Sequence, residues 1–210
     1  MPYFIASLFL IASYLIGSIP FGLLISKHQG VDLRTEGSGN IGTTNAVRVL
    51  GKKLGVLTGI LDVFKGMFII IIIKILELTN IWHNPFIIGK DSLYALYGLA
   101  AVLGHVFPVF LKFKGGKAVA TSFGALVATA PLASLVGVIT FAILVATTGY
   151  VVLGSSIGAL MAIPSAFLFY TDNLYSNLIL SIMVIIIIIR HKGNFERLIK
   201  GTERCFKKKK

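Results

Sequence analysis

The sequence predicts an all-α integral membrane protein with seven transmembrane helices, its N-terminus outside and its C-terminus cytoplasmic. Composition is the first reason. Hydrophobic residues make up 56% of the 210-residue chain and charged residues 13%, against about 45–50% and about 25% in a soluble domain. Mean hydropathy is +0.88. The second reason is clustering: apolar residues gather in runs such as 67–73, 93–103 and 182–189, more than a soluble core can absorb. The third is that lysine and arginine concentrate in three separated segments, as the positive-inside rule requires of loops on one face.

The spans follow in order. Residues 3–25 lack a basic leader and run too long for a signal-peptide core, so they read as a first span. Lys27, Arg34, Arg48, Lys52 and Lys53 then mark a cytoplasmic loop. Spans at 54–76 and 92–111 return the chain to a second basic loop, Lys112, Lys114 and Lys117. Between them lies a nearly neutral connection, 77–91, with Trp82 as an interface anchor. The stretch 118–148 exceeds the roughly 17–25 residues of one span. Pro131 can end one helix and open the next, which divides the stretch into 118–130 and 132–148. Spans at 152–169 and 174–189 then put the basic tail (Arg190, Lys192, Arg197, Lys200, Arg204 and 207–210) on the same side as the other basic loops. The whole chain, 1–210, reads as one domain. Its single cysteine, Cys205, excludes an internal disulfide. The net charge of +12 is accounted for by topology, so nucleic acid is not an expected partner.

Two loops carry recognisable chemistry. The first reads Gly37, Ser38, Gly39, Asn40, Ile41, Gly42, Thr43, Thr44, Asn45, with Arg48 following. Glycines let backbone N–H groups converge and let an oxyanion approach closely. The hydroxyl and amide side chains add donors, and arginine can grip phosphate bidentately. It is a phosphate cradle by composition, without the G-x4-G-K-[ST] spacing of a Walker loop. The second loop sets Gly115, Gly116 and Lys117 before an apolar helix, which combines a point charge with free N–H groups at a helix start. Ser155 and Ser156 read as N-caps of a later span. His191 and Asn194 begin the tail, placed to turn inward. Asp62 and Lys65, three apart within a span, share a helix face; an ion pair that helps insertion and a functional site are both open there. His105 reads as a packed histidine. No His, Cys, Asp or Glu cluster has metal-ligand spacing, so neither a metal nor another cofactor is expected.

The cradle, the Lys-Gly-Gly-Lys loop and the His-x-x-Asn tail, in this order and spacing, resemble the bacterial acyl-phosphate:glycerol-3-phosphate acyltransferase family. The resemblance runs from Gly17 to Glu203. It implies a multi-pass enzyme of the bacterial cytoplasmic (inner) membrane, with its active site facing the cytoplasm. Such an enzyme moves a fatty acyl group from acyl phosphate to the 1-hydroxyl of glycerol 3-phosphate, giving lysophosphatidic acid and phosphate. By resemblance Ser38, Lys117, His191 and Asn194 are the expected catalytic residues. Gly37, Ser38, Gly39, Asn40, Thr44, Asn45, Arg48, Gly115, Gly116, Lys117 and Ser155 are the expected phosphate-binding set. Val152 stands where the family pattern has a serine. Membrane lipid and the peripheral phosphate acyltransferase that supplies the donor are the implied partners, and a monomer is expected.

The residues themselves suggest a mechanism. His28 and Asp32 are one residue too close for an H-x4-D signature, and no Ser-His-Asp triad is evident. An acyl phosphate is already activated, so holding two anions side by side and neutralising their repulsion is the main task. The donor's own phosphate is then expected to take the hydroxyl proton. The chief alternative is a transporter of a phosphorylated metabolite. The charges cluster on one face and no pair of broken helices marks a midplane site, both of which weigh against it.

Overall fold

Lipid offers the backbone no hydrogen-bond partner, so apolar runs of this length fold as helices. A computed structural model describes residues 2–82 and 89–206, and every regular element among them is helical. The centre of the 77–91 connection and residues 207–210, assigned above to the basic tail, lie outside the described residues.

The first predicted span is two helices, α1 (Pro2–Gly17) and α2 (Phe21–His28). Pro20 has no N–H to donate and disfavours helical geometry in the residue before it, which breaks the helix there. A loop and the short helix α3 (Thr43–Leu50) lead into α4 (Lys52–Leu78). Helix α5 (Lys90–Val106) ends at Phe107-Pro108, after which a single 3-10 turn spans Val109–Leu111. The division at Pro131 is present: α6 covers Val119–Thr129 and α7 starts on the proline, Pro131–Thr148. Then follow α8 (Val151–Phe169), α9 (Leu174–Arg190) and α10 (Lys192–Ile199).

Five helical segments are long and apolar enough to cross a membrane: Tyr3–His28, Lys52–Leu78, Lys90–Leu111, Pro131–Thr148 and Val151–Phe169. Leu174–Arg190 and Lys192–Ile199, bent by 48° at their junction, make a sixth if counted as one. The remaining predicted span, 118–130, is α6, and its 11 residues extend only about 16 Å at the usual helical rise. That is roughly half of a hydrocarbon core. Helices α3 and α10 were not anticipated; both lie in segments read from their charge as connections.

Packing pairs α1 with α5, α4 with α6, and α7 with α8. The α4–α6 pair is close because two glycines let each backbone meet the other. A methyl group on Gly66 would lie 2.0 Å from the Thr121 carbonyl oxygen, and one on Gly124 2.0 Å from that of Val63. Small-residue contacts of this kind drive helix association where lipid is as apolar as leucine. The core between α1, α4, α5, α6 and α9 is filled by Ile70, Ile73, Tyr97, Val102 and Met183, all buried.

Asp62 and Lys65 form an ion pair, one of the two readings open from the sequence, at 2.9 Å, with side chains 3% and 1% exposed. Lys65 Nζ also donates to the Ile19 carbonyl at 2.8 Å, which satisfies a group released by the break between α1 and α2. Removing one member of such a pair leaves the other charge buried and unpaired, at a cost of about 3–5 kcal/mol. The α7–α8 hairpin contacts the rest chiefly through α9 and α6. A space therefore remains between it and the α4–α6 pair.

Candidate active site

That space is a cavity of about 900 Å³, lined from α4 by Val56, Ile60, Val63 and Met67, from α6 by Phe123 and Leu126, and from α7 and α8 by Val138, Phe141 and Ala162. Its other end is polar. Ser38, Asn40, Thr44, Asn45 and Arg48 reach it from the first loop and α3, Lys117 from the second loop, Ser155 from α8, and His191 and Asn194 from the start of the tail. Four stretches far apart in sequence thus meet at one mouth. Gly37, Gly39, Gly115 and Gly116 are not among the lining residues; they shape the backbone that carries the others.

In the first loop Gly37 and Gly39 take left-handed conformations, φ +64° and +71°, which turn the chain back on itself. Asn45 sets this turn. Its Oδ1 accepts from the Ser38 N–H at 2.8 Å, and its Nδ2 donates to the carbonyls of Leu33 at 3.2 Å and Glu36 at 3.0 Å. Both amide hydrogens point to these carbonyls, so Asn45 holds the loop in its turn. The cradle is also more ordered than a loop: from Thr43 it is helix α3, which carries Arg48 in its second turn.

The second loop is tied to α5 and α9. The Gly115 and Gly116 N–H groups donate to the carbonyls of Val106 and His105, both at 3.1 Å. The Arg190 guanidinium donates to the Gly115 and Gly116 carbonyls at 2.9 and 3.1 Å. Lys117 follows, then Ala118 in a left-handed conformation (φ +60°), and α6 begins. Lys117 Nζ donates to Asn194 Oδ1. Asn194 Nδ2 donates to Glu203 Oε1 at 2.8 Å, and Arg197 Nε to Glu203 Oε2 at 2.8 Å.

His191 Nδ1 lies 2.8 Å from the Ile187 carbonyl. A carbonyl only accepts, so Nδ1 carries the hydrogen. Burial pushes this imidazole down to about 4, the Lys117 charge adding to the effect while the Ile187 bond and Glu203 oppose it. The ring is therefore neutral near pH 7, with Nε2 bare and 3.2 Å from Ser155 Oγ. Neither Ser155 nor Ser156 is the N-cap expected from the sequence. Helix α8 starts four residues before Ser155, and the Ser155 hydroxyl also lies 2.8 Å from the Val151 carbonyl inside the helix.

Sequence reasoning missed Arg190, Arg197 and Arg204, grouped with a tail read only for its charge, and also Glu203 and the backbone role of His105. Glu203 left a signal, since Glu196 and Glu203 are the only carboxylates between Arg190 and the end of a strongly basic tail.

The polar mouth gathers Lys117, Arg48, Arg197 and Arg204 against Glu203, an arrangement that can hold more than one anion. Burial and the surrounding arginines push the Lys117 ammonium down to about 8, although Glu203 pulls the other way. The cation that would grip phosphate is present below that pH and lost above it, while a phosphate monoester loses its second charge below about pH 6. For a phosphorylated acceptor, kcat/KM is therefore expected to fall above pH 8. Bound phosphate favours the charged form, so kcat should hold to higher pH. Parallel pH profiles of kcat/KM and kcat test this; a kcat/KM flat from pH 7 to 10 would contradict it.

Residues 7–201 match the family model described as glycerol-3-phosphate acyltransferase. The chain is 44% identical over 204 residues to a glycerol-3-phosphate acyltransferase of Trichlorobacter lovleyi, covering 96% of this chain and 98% of that one. It is 40% identical over 198 residues to that of Bacillus subtilis, with 94% and 95% covered. Among solved structures it resembles PlsY, an integral membrane glycerol 3-phosphate acyltransferase, in its glycerol 3-phosphate form. The TM-score is 0.86 at 38% identity, with 96% of each chain covered. The lysophosphatidic acid form gives 0.83 at 37% identity, with 96% of this chain and 95% of that one covered. These matches are acyltransferases, which tells against the transporter alternative.

Proposed function

This chain belongs to the glycerol-3-phosphate acyltransferase family, and from that premise we propose that it transfers a fatty acyl group from acyl phosphate to the 1-hydroxyl of sn-glycerol 3-phosphate, giving lysophosphatidic acid and inorganic phosphate. One observation carries the choice of donor: a single cavity joins a cationic mouth to an apolar channel between membrane-spanning helices. An acyl phosphate has that shape, a charged head on an alkyl chain. The acceptor is small and charged and needs only the mouth.

In this reading the acceptor hydroxyl oxygen forms the new bond to the acyl carbon. The bond from that carbon to the phosphate oxygen breaks, and the hydroxyl proton leaves on the released phosphate. Arg48 and Lys117 neutralise the two phosphoryl groups. That permits close approach and stabilises charge as it develops on the leaving phosphate. Ser38 orients a phosphate oxygen. Asn194 fixes the ammonium of Lys117, and His191 supplies a neutral acceptor at Nε2. Among the described residues no carboxylate is hydrogen-bonded to His191 to make it a stronger base: its Nδ1 partner is a backbone carbonyl. This favours the donor phosphate as proton acceptor. The positive-inside rule supports a mouth on the cytoplasmic face of the inner membrane, within reach of a peripheral phosphate acyltransferase that supplies the donor. Seven crossings, with α6 as a half-length one, and a single domain over 1–210 complete the proposal.

Purified protein in detergent, given radiolabelled glycerol 3-phosphate, should form lysophosphatidate and inorganic phosphate in equal amounts with acyl phosphate and far more slowly with acyl-CoA. Preference for the thioester would refute the donor. An inactive His191→Ala that still binds both substrates, with loss of one limb of the pH profile, would transfer the proton to histidine.

A further inference from the structure

After α10 the chain turns back across the mouth. Thr202 and Glu203 N–H groups both donate to the Arg197 carbonyl, at 2.8 and 3.1 Å, which reverses its direction. Four contacts then fasten the next residues to distant parts of the protein. Arg204 Nη2 donates to the Gly37 carbonyl at 2.8 Å. The Phe206 N–H donates to the Gly149 carbonyl at 2.9 Å. The Arg48 guanidinium lies 4.8 Å from the centre of the Phe206 ring, with Nη2 3.4 Å from the Arg204 carbonyl. The segment 202–206 is thus a strap joining the first loop and α3 to the turn between α7 and α8.

The strap brings a charge with it. Arg204 lines the same cavity as Arg48, Ser38 and Lys117. Its guanidinium reaches the residue before Ser38 and is anchored there by one of its five N–H groups. The only carboxylate the strap contributes, Glu203, is already engaged by Asn194 and Arg197. Burial, and after it the nearby Arg204 guanidinium, disfavour the charge on Arg48, and a dianion bound by both arginines would relieve the repulsion.

We propose that Arg204, carried over the mouth by this strap, is an additional binding residue for the phosphate of glycerol 3-phosphate. The inference rests on the acyltransferase reading above. The acceptor is the substrate assigned because the strap crosses the loop end of the cavity, where a water-soluble phosphate enters. The apolar chain of the donor occupies the channel between α4, α6, α7 and α8, away from the strap.

The test is steady-state kinetics of the full chain in detergent, with Arg204→Gln, Arg204→Lys and wild type side by side. Arg204→Gln should raise KM for glycerol 3-phosphate about tenfold, as loss of one charged hydrogen-bond partner does, while KM for acyl phosphate and kcat move less than threefold. Arg204→Lys should recover part of that loss. Inorganic phosphate should compete more weakly against glycerol 3-phosphate in the glutamine variant. Thermal unfolding without ligand should match wild type, whereas stabilisation by added glycerol 3-phosphate should shrink. An unchanged KM, a rise confined to KM for acyl phosphate, or equal loss for both substrates with lowered thermal stability would each overturn the assignment. A wild type that makes no lysophosphatidate would instead refute the reading on which it rests.

Discussion

Replacing Lys117 with alanine is expected to lower kcat/KM for glycerol 3-phosphate by about a hundred- to a thousandfold, the loss typical of one preorganised donor at a developing oxyanion. The magnitude follows from its setting. Lys117 is partly buried at the cationic mouth, and its ammonium is aimed by Asn194, which Glu203 holds in turn. Truncation removes the charge and also leaves Asn194 Oδ1 without its donor. Lys117→Arg should recover little, because a planar fork cannot occupy the position of a compact ammonium bonded to one amide oxygen. Initial rates with each substrate varied in turn measure the effect. A loss of less than tenfold for Lys117→Ala would remove this residue from the catalytic set. Asn194→Ala should give a smaller defect in the same parameter, since it acts on the reacting groups partly through Lys117.

The second large effect separates two adjacent glycines. A methyl group at Gly116 would lie 2.2 Å from His105 Nε2; one at Gly115 would lie 2.1 Å from the His105 carbonyl oxygen and 2.5 Å from Pro108 Cδ. Neither distance is tolerable, so either alanine must displace the loop that carries Lys117. A shift of about 1 Å at a reacting group can cost about a hundredfold in rate. The obstacles differ in kind. At Gly116 it is a side chain, so His105→Ala with Gly116→Ala should recover at least tenfold over Gly116→Ala alone. At Gly115 it is backbone and a proline ring, and the same His105→Ala should recover nothing. Equal behaviour of the two positions would mean that the contact with His105 does not set the position of Lys117.

The sequence made the membrane, the basic loops and most helix positions legible, and particular residues show where legibility stopped. Pro131 divides α6 from α7 because proline chemistry is local. The length of α6 was harder: hydropathy continues through 118–130, but the left-handed Ala118 and the broken Ala130-Pro131 junction leave only Val119–Thr129 helical. Helix α3 escaped notice because its glycine-rich approach reads as loop. Asn45 was assigned to phosphate because its side chain suits phosphate. Only the fold shows both of its amide hydrogens bound to the carbonyls of Leu33 and Glu36.

Composition, run length and the placement of lysine and arginine determined by themselves that this is a multi-span membrane protein with its cations gathered in and beside glycine-rich loops. Those signals are local, since transfer into lipid acts residue by residue and a positive loop is retained within a few residues of its span. Which atoms meet was decided by the tertiary structure alone. Lys117 and Asn194 are 77 residues apart, and Arg204 and Gly37 are 167 apart. Contacts at such separations arise from the packing of α4 on α6, α7 on α8 and α9 on α5, to which hydropathy and charge counts are insensitive.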